Sequence, residues 1–344
     1  FDIFLTAVFI SGLIQLGLGF LKAGGISNYI PTNVIEGMLA GIGIIIILKQ
    51  LPHAFGYDSD FEGDMAFSQT DGSNTFSSLL SIVDYVQLGS IIIAALSIII
   101  LIAWDKLPFL KKLKLVPGAL IAVIVGVVLN EIFISSGSSL AIAKEHLVSL
   151  PVPTTLEEFK QIIVTPNFAG ITNPKVWVVG LTIAIVASIE TLLCIQAADR
   201  MDVHKRYTDT NVELKAQGIG NLVSSLLGGL PMTSVVVRTS ANNNAGAKSK
   251  MSAIIHGVLL LLSVLTIPAI LNKIPLATLA AILLLVGYKL AKPATFKHFW
   301  KNGKYHFVPF IATLLAVVFL DLLKGVALGI IISVFAILRG NMKR

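Results

Sequence analysis

The chain of 344 residues is 55% hydrophobic and only 13% charged, with a mean hydropathy of +0.85, whereas soluble domains run near 25% charged. The net charge of +7 matches the basic loops that membrane proteins keep in the cytoplasm, so it does not argue for nucleic-acid binding. The single cysteine, Cys194, excludes an internal disulfide.

Apolar blocks of about 20 residues recur from end to end, the length a helix needs to cross roughly 30 Å of hydrocarbon. An outer-membrane barrel would show alternating segments of about 10 residues, and these are absent. The pattern predicts an all-α, multi-pass membrane protein. The first block, 2–20, opens without an initiator Met and shows no cleavable signal, so it reads as a trimmed chain rather than a targeting segment. The next, 31–51, carries the small-residue pair Gly37 and Gly41, which reads as packing glue, and Glu36 near its end. Loop 52–83 has no Lys or Arg. Blocks 84–104 and 115–134 follow, with Glu131 close to the interface. After loop 135–175 come 176–197 and 212–227, the latter short and rich in glycine.

Residues 228–246, GGLPMTSVVVRTSANNNAG, are too short and polar to span. Pro231, valines and then polar residues predict an extended segment or short strand entering a half-helix over 234–247. Irregular backbone at membrane depth is tolerated only where it is buried in protein or lines a cavity. Blocks 250–271, 275–291, 305–320 and 322–339 complete the chain. They include His256, expected to be hydrogen-bonded inside the bundle, Asp321 at a span end, and a second small-residue pair, Gly325 and Gly329. Most of the 26 Lys and Arg then fall on one side together with the C-terminus, which places that side in the cytoplasm.

Ionisable groups inside a span default to functional candidates. Glu190 lies mid-span, with Ala187, Cys194 and Ala197 sharing its face at helical spacing. Small residues around an acid suit a face that opens on a cavity. Arg238 lies one turn inside a half-helix that would start near Ser234 or Val235, with Thr233 or Ser234 as its cap. Unpaired N–H groups and the helix dipole make such an end an anion site, and Arg238 would reinforce it. The competing reading is a buried Arg238–Glu190 ion pair with no ligand. Asn242, Asn243 and Asn244 could cap the far end of the half-helix or line the site. No GxxxxGK[ST], CxxC or HExxH motif occurs, so ATP hydrolysis and zinc chemistry have no support, and no enzyme is expected.

Three stretches carry a family resemblance: SIETLLCIQAADRM (188–201), ELKAQGIGNLVSSLLGGLPMTSVVVRTSANNNAGAKSK (213–250) and IPLATLAAILLLVGYKL (274–290). The order of acid-bearing span, QGxxN, GGLP, arginine with Thr-Ser, and Gly-Ala-Lys resembles the SulP family of sulfate-permease type anion transporters over essentially the whole chain. The resemblance implies a seven-plus-seven inverted-repeat fold shared with uracil and xanthine permeases, with a core domain moving against a gate domain. Residues 1–344 would form the membrane domain from the family's fourth span to its fourteenth. The first three spans and the cytoplasmic STAS domain would be missing, and core elements would lie at about 176–247. The family's substrate positions fall on Thr233, Ser234, Val235, Val236 and Arg238, and its cation-coupling positions on Glu190 and Cys194. Bacterial bicarbonate transporters of the family carry an aspartate and a threonine at those two positions to help hold sodium. The glutamate here suits a proton at least as well, so no bound metal is expected beyond a sodium ion near Glu190.

The implied function is secondary transport of a small inorganic anion, sulfate or bicarbonate, coupled to H+ or Na+ by alternating access. The expected partners are the anion, the lipid bilayer and a second copy in a homodimer, with no nucleic acid. The alternatives are a nucleobase permease of the same fold, disfavoured by the valines near the half-helix, and an anion-binding voltage-responsive or scaffold protein.

Overall fold

The computed structural model describes residues 1–58, 74–82, 85–107, 116–152, 157, 163–202, 204–235, 238–239, 242, 246–320 and 322–342. Val236, Asn243, Asn244 and Asp321 lie outside these residues. The main helices are α1 (Asp2–Phe20), α2 (Thr32–Phe55), α3 (Leu88–Lys106), α4 (Gly118–Ser135), α5 (Pro174–Met201), α6 (Thr210–Leu226), α7 (Met251–Thr266), α8 (Leu276–Leu290), α9 (Pro293–Lys301), α10 (Lys304–Phe319) and α11 (Leu322–Met342). Six helical stretches are long and apolar enough to cross a membrane: Asp2–Phe20, Thr32–Phe55, Leu88–Lys106, Gly118–Ser135, Pro174–Gln196 and Leu276–Lys301. The chain is a multi-pass, all-helical membrane protein. Among the described residues an isolated β bridge joins Leu147 to Pro275, and no strand forms at 231–235.

Local chemistry explains where the helices start and stop. Asn173 caps α5 by accepting from the Lys175 N–H, with Pro174 in the first turn, where its missing N–H costs nothing. Asp209 caps α6 by accepting from Asn211 and Val212. The helix ends on Gly228 at φ 80°. The Gly229 N–H bonds Ser224 O at 2.7 Å and the Gly228 N–H bonds Ser225 O at 3.2 Å. This paired closure needs a left-handed residue, the reason for a glycine there. Pro231 follows and cannot continue a helix.

The chain divides into two compact units, residues 1–30 with 151–260 and residues 31–150 with 261–344. In the first, α1 packs against both α5 and α6. The approach of α1 to α6 is set by glycines. A Cβ on Gly218 would lie 2.7 Å from Leu16 N and 2.8 Å from Gly12 O, so only hydrogen fits. Ala7, Ile10 and Val176 form one buried cluster, and Leu192, Ile195 and Leu214 another. His256 is not buried in the bundle. It is exposed on α7, a helix that buries none of its residues.

In the second unit, α2 packs against α8 and α10, and α11 packs on α10. A Cβ on Gly37 would meet Phe310 O at 2.5 Å, and one on Gly41 would meet Val317 at 3.0 Å. Gly325 and Gly329 face Val317 and Thr313 in the same way. Both small-residue pairs therefore serve close packing on α10. Phe299 and Phe310 stack with centroids 4.7 Å apart beside them. Glu131 pairs with Lys273 at 2.9 Å, both side chains about half exposed, as suits a span end.

Candidate functional site

Among the described residues the segment leaving α6 has no strand partner, so its backbone polar groups need other partners. Side chains supply them. Asn221 accepts from the Met232 N–H at 2.7 Å and donates to Met232 O at 3.2 Å, serving both groups of one residue. Gln217 donates to Met232 O at 3.0 Å and to Ala187 O at 3.3 Å. Ser224 donates to Leu230 O at 2.8 Å. From α5, Thr191 Oγ1 accepts from the Ser234 N–H at 3.2 Å, and Cys194 Sγ donates to Ser234 O at 3.1 Å. This is why the expected strand is replaced: amide, hydroxyl and thiol groups of α5 and α6 occupy the donors and acceptors that a ladder would use.

The first helical bond after this segment runs from Thr239 N to Val235 O at 3.2 Å. Arg238 lies within the helical turn that this bond closes. Thr233 does not cap. Its hydroxyl lies 2.9 Å from Thr191 Oγ1 and 3.2 Å from Ala187 O. Ser234 does not cap either; its peptide is held by Thr191 and Cys194, and its hydroxyl has no partner among the described residues. Asn242 does not cap the other end, because its amide donates to Ser252 Oγ at 3.0 Å, at the start of α7.

Thr233, Ser234, Thr191 and Cys194 are therefore brought together, with Val235 beside them and 41% exposed. Arg238 is exposed and Glu190 is half-buried. No ion pair joins them, and neither has a hydrogen-bond partner among the described residues. The ligand-free ion pair is thus not formed. A carboxyl one turn from Cys194 and a guanidinium beside the half-helix lead are thus both placed to meet ions of opposite sign. Among the described residues no group of three or more His, Cys, Asp or Glu is placed to hold a metal ion.

Four members of the site were not singled out from the sequence: Gln15, Thr191, Gln217 and Asn221. Gln15, Thr191 and Asn221 are 0% exposed. The signal for two of them was present in the QGIGN spacing, which stacks Gln217 and Asn221 on one helical face. Gln15 and Thr191 have no local signature, since each matters only through a partner on another helix.

After α5 in the same unit, Arg206 forks onto Asp202 with two bonds of 2.9 Å and reaches Lys248 O at 3.1 Å. The guanidinium and its hydrogen bonds hold the Asp202 carboxyl well below the usual carboxylate range. In the second unit, Asp58 bridges His53 and His146, each ring Nδ1 lying 2.5 Å from one carboxylate oxygen. Gln87 reaches the other ring nitrogen of His146 at 2.7 Å. Asp58, Gln87 and His146 border a cavity of about 310 Å³ that Tyr57, Tyr85 and Glu145 also line.

A family model described as the sulfate permease family matches residues 1–313. The chain is 28% identical over 340 residues to YvdB of Bacillus subtilis strain 168, covering 96% of this chain and 58% of that protein. It is 26% identical over 329 residues to the bicarbonate transporter BicA of Picosynechococcus, covering 95% and 54%. The chain thus spans just over half the length of these relatives. Its structure superposes on the transmembrane domain of a cyanobacterial bicarbonate transporter BicA with a TM-score of 0.68 at 26% identity, covering 93% of this chain and 75% of that one.

Proposed function

The chain belongs to the sulfate permease family, and on that premise we propose that it carries a small inorganic anion, sulfate or bicarbonate, across the membrane by alternating access coupled to H+ or Na+. The observation that carries this reading is the pairing of two unpartnered charges on one framework: Arg238 in the first turn of a half-helix and Glu190 one turn from the cysteine that holds the half-helix lead. The anion would sit at the half-helix start near Ser234, Val235 and Val236. The free Ser234 hydroxyl, the first-turn N–H groups and the Arg238 guanidinium would face it. Thr233 would brace the segment from behind, through Thr191.

Glu190 would take up the coupling ion. An ionised carboxylate beside the anion opposes its binding, and neutralising it by a proton or a sodium ion removes the opposition, which ties the two fluxes together. The unit of residues 1–30 and 151–260 would be the mobile core. The asymmetry of Lys and Arg supports a cytoplasmic C-terminus, and family kinship supports a homodimer and a following STAS domain. Labelling of a cysteine placed near Arg339 from the outside would refute the orientation, and a monomeric mass in mild detergent would refute the dimer.

The test of transport is uptake of labelled sulfate and bicarbonate by the reconstituted transporter. Arg238→Ala is expected to lower anion affinity by at least tenfold, the worth of one charge-assisted contact of roughly 1.5–3 kcal/mol. Parental affinity for both anions in this variant would remove the anion site from the half-helix.

A further inference from the structure

The half-helix lead is held from three helices, and the innermost member of that hold is a residue of α1. Gln15 is fully buried. Its Oε1 accepts from Asn221 Nδ2 at 2.7 Å, and its Nε2 lies 3.4 Å from Ser188 Oγ on α5. Asn221 uses the same amide nitrogen toward Met232 O and its oxygen toward the Met232 N–H. The two hydrogens of the Asn221 amide are therefore both committed, one to Gln15 and one to Met232. This fixes which way the amide faces, since the opposite orientation would set its oxygen against two acceptors. Gln217 adds a second amide to Met232 O and Ala187 O, and its own Oε1 is buried without a donor. Its amide faces carbonyls on both sides, so it cannot turn to satisfy that oxygen without losing two bonds.

We propose that Gln15 and Asn221 are positioning residues for the anion site: Asn221 substitutes for a strand partner of Met232, and Gln15 sets the Asn221 amide. Neither side chain need touch the transported ion. Their effect passes through the Met232–Ser234 backbone to the Ser234 hydroxyl and the first-turn N–H groups. Displacing that backbone by a fraction of an ångström misaligns the donors at the half-helix start and weakens binding without removing a charge. Glycines at the α1–α6 crossing serve the same end, because Gly12 and Gly218 admit the close approach that lets Gln15 reach Asn221.

The inference rests on the transport reading above, and the experiment separates the two. Anion uptake is measured for Asn221→Ala, Gln15→Met, Gln15→Glu and the Gln15→Met, Asn221→Ala pair in the reconstituted transporter, beside Arg238→Ala. Thermal melting in detergent identifies variants that still fold. Among folded variants, Asn221→Ala is expected to raise KM about tenfold with little change in kcat. Gln15→Met, close in size but without the acceptor, should raise KM in the same direction. Gln15→Glu keeps an oxygen facing Asn221 and, assayed at a pH that holds the new acid neutral, should recover most of the affinity. The double variant should be no worse than Asn221→Ala alone, since Gln15 acts only through that amide. Parental KM in a folded Asn221→Ala or Gln15→Met protein, or additive KM effects in the pair, overturns the proposal. If Arg238→Ala keeps parental affinity, the anion site itself is misplaced. If Arg238→Ala fails while Asn221→Ala transports normally, only the positioning role falls.

Discussion

Replacing Glu190 by Gln separates anion binding from its coupling. Glu190 and Cys194 are four residues apart on α5, with Cβ atoms roughly 5–6 Å apart. Cys194 Sγ lies 3.1 Å from Ser234 O. For an assumed separation of about 7 Å between the carboxylate and an anion at the half-helix start, and an effective dielectric of about 20, two unit charges repel by about 2.4 kcal/mol. This corresponds to about fiftyfold in affinity for a monovalent anion, and the energy doubles for a divalent one. Glutamine imitates the neutralised acid. The variant should bind the anion with the affinity that the parent reaches only when H+ or Na+ is abundant, and its KM should no longer depend on either ion. Exchange of labelled for unlabelled anion should persist, while accumulation driven by a cation gradient should vanish. The assay is uptake of labelled bicarbonate and sulfate in proteoliposomes, with and without sodium, at two pH values. A larger cation effect on sulfate than on bicarbonate in the parent is part of the same expectation. Parental cation dependence and full accumulation in Glu190→Gln would refute the reasoning.

Three other outcomes follow from the packing and the ion pairs. Gly218→Ala should cost about 2 kcal/mol, as overpacked sites do, and should lower the melting temperature in detergent, because its Cβ meets backbone atoms of Leu16 and Gly12 at 2.7–2.8 Å. Asp58→Ala leaves a buried and a partly buried imidazole without their shared acceptor and should lower stability by about 1–3 kcal/mol in the same measurement, as leaving a buried polar group unsatisfied does. The carboxyl of Asp202 is depressed in the folded state, so its contribution is fully present above the unfolded value near 3.9 and is lost only as pH falls toward the folded one. The melting difference between parent and Asp202→Asn should therefore stay constant from about pH 5 to pH 9 and shrink below about pH 4. A difference that grows on acidification would show that Arg206 is not its partner.

The apolar blocks, their order and the break at GGLP were legible because each depends on local chemistry. A run of about 20 apolar residues must be a helix in lipid, since every backbone group has to bond within the segment. Gly228 must close α6, because the cap needs a left-handed residue. The stretch around Arg238 likewise announced an interrupted helix. The lead that looked like a strand is instead backbone held by Asn221, Gln217, Thr191 and Cys194. The hydroxyl expected to cap, Thr233, is turned toward α5. The charges that could have paired, Arg238 and Glu190, stand apart. Each of these outcomes depends on which helix face meets which, and spacing along one helix carries no information about a partner such as Gln15, 206 residues from Asn221. Sequence alone determined which stretches form apolar helices and where their run is broken. Tertiary packing decided which polar groups fill the break, because buried donors and acceptors must be satisfied by whatever neighbour the packing brings within reach.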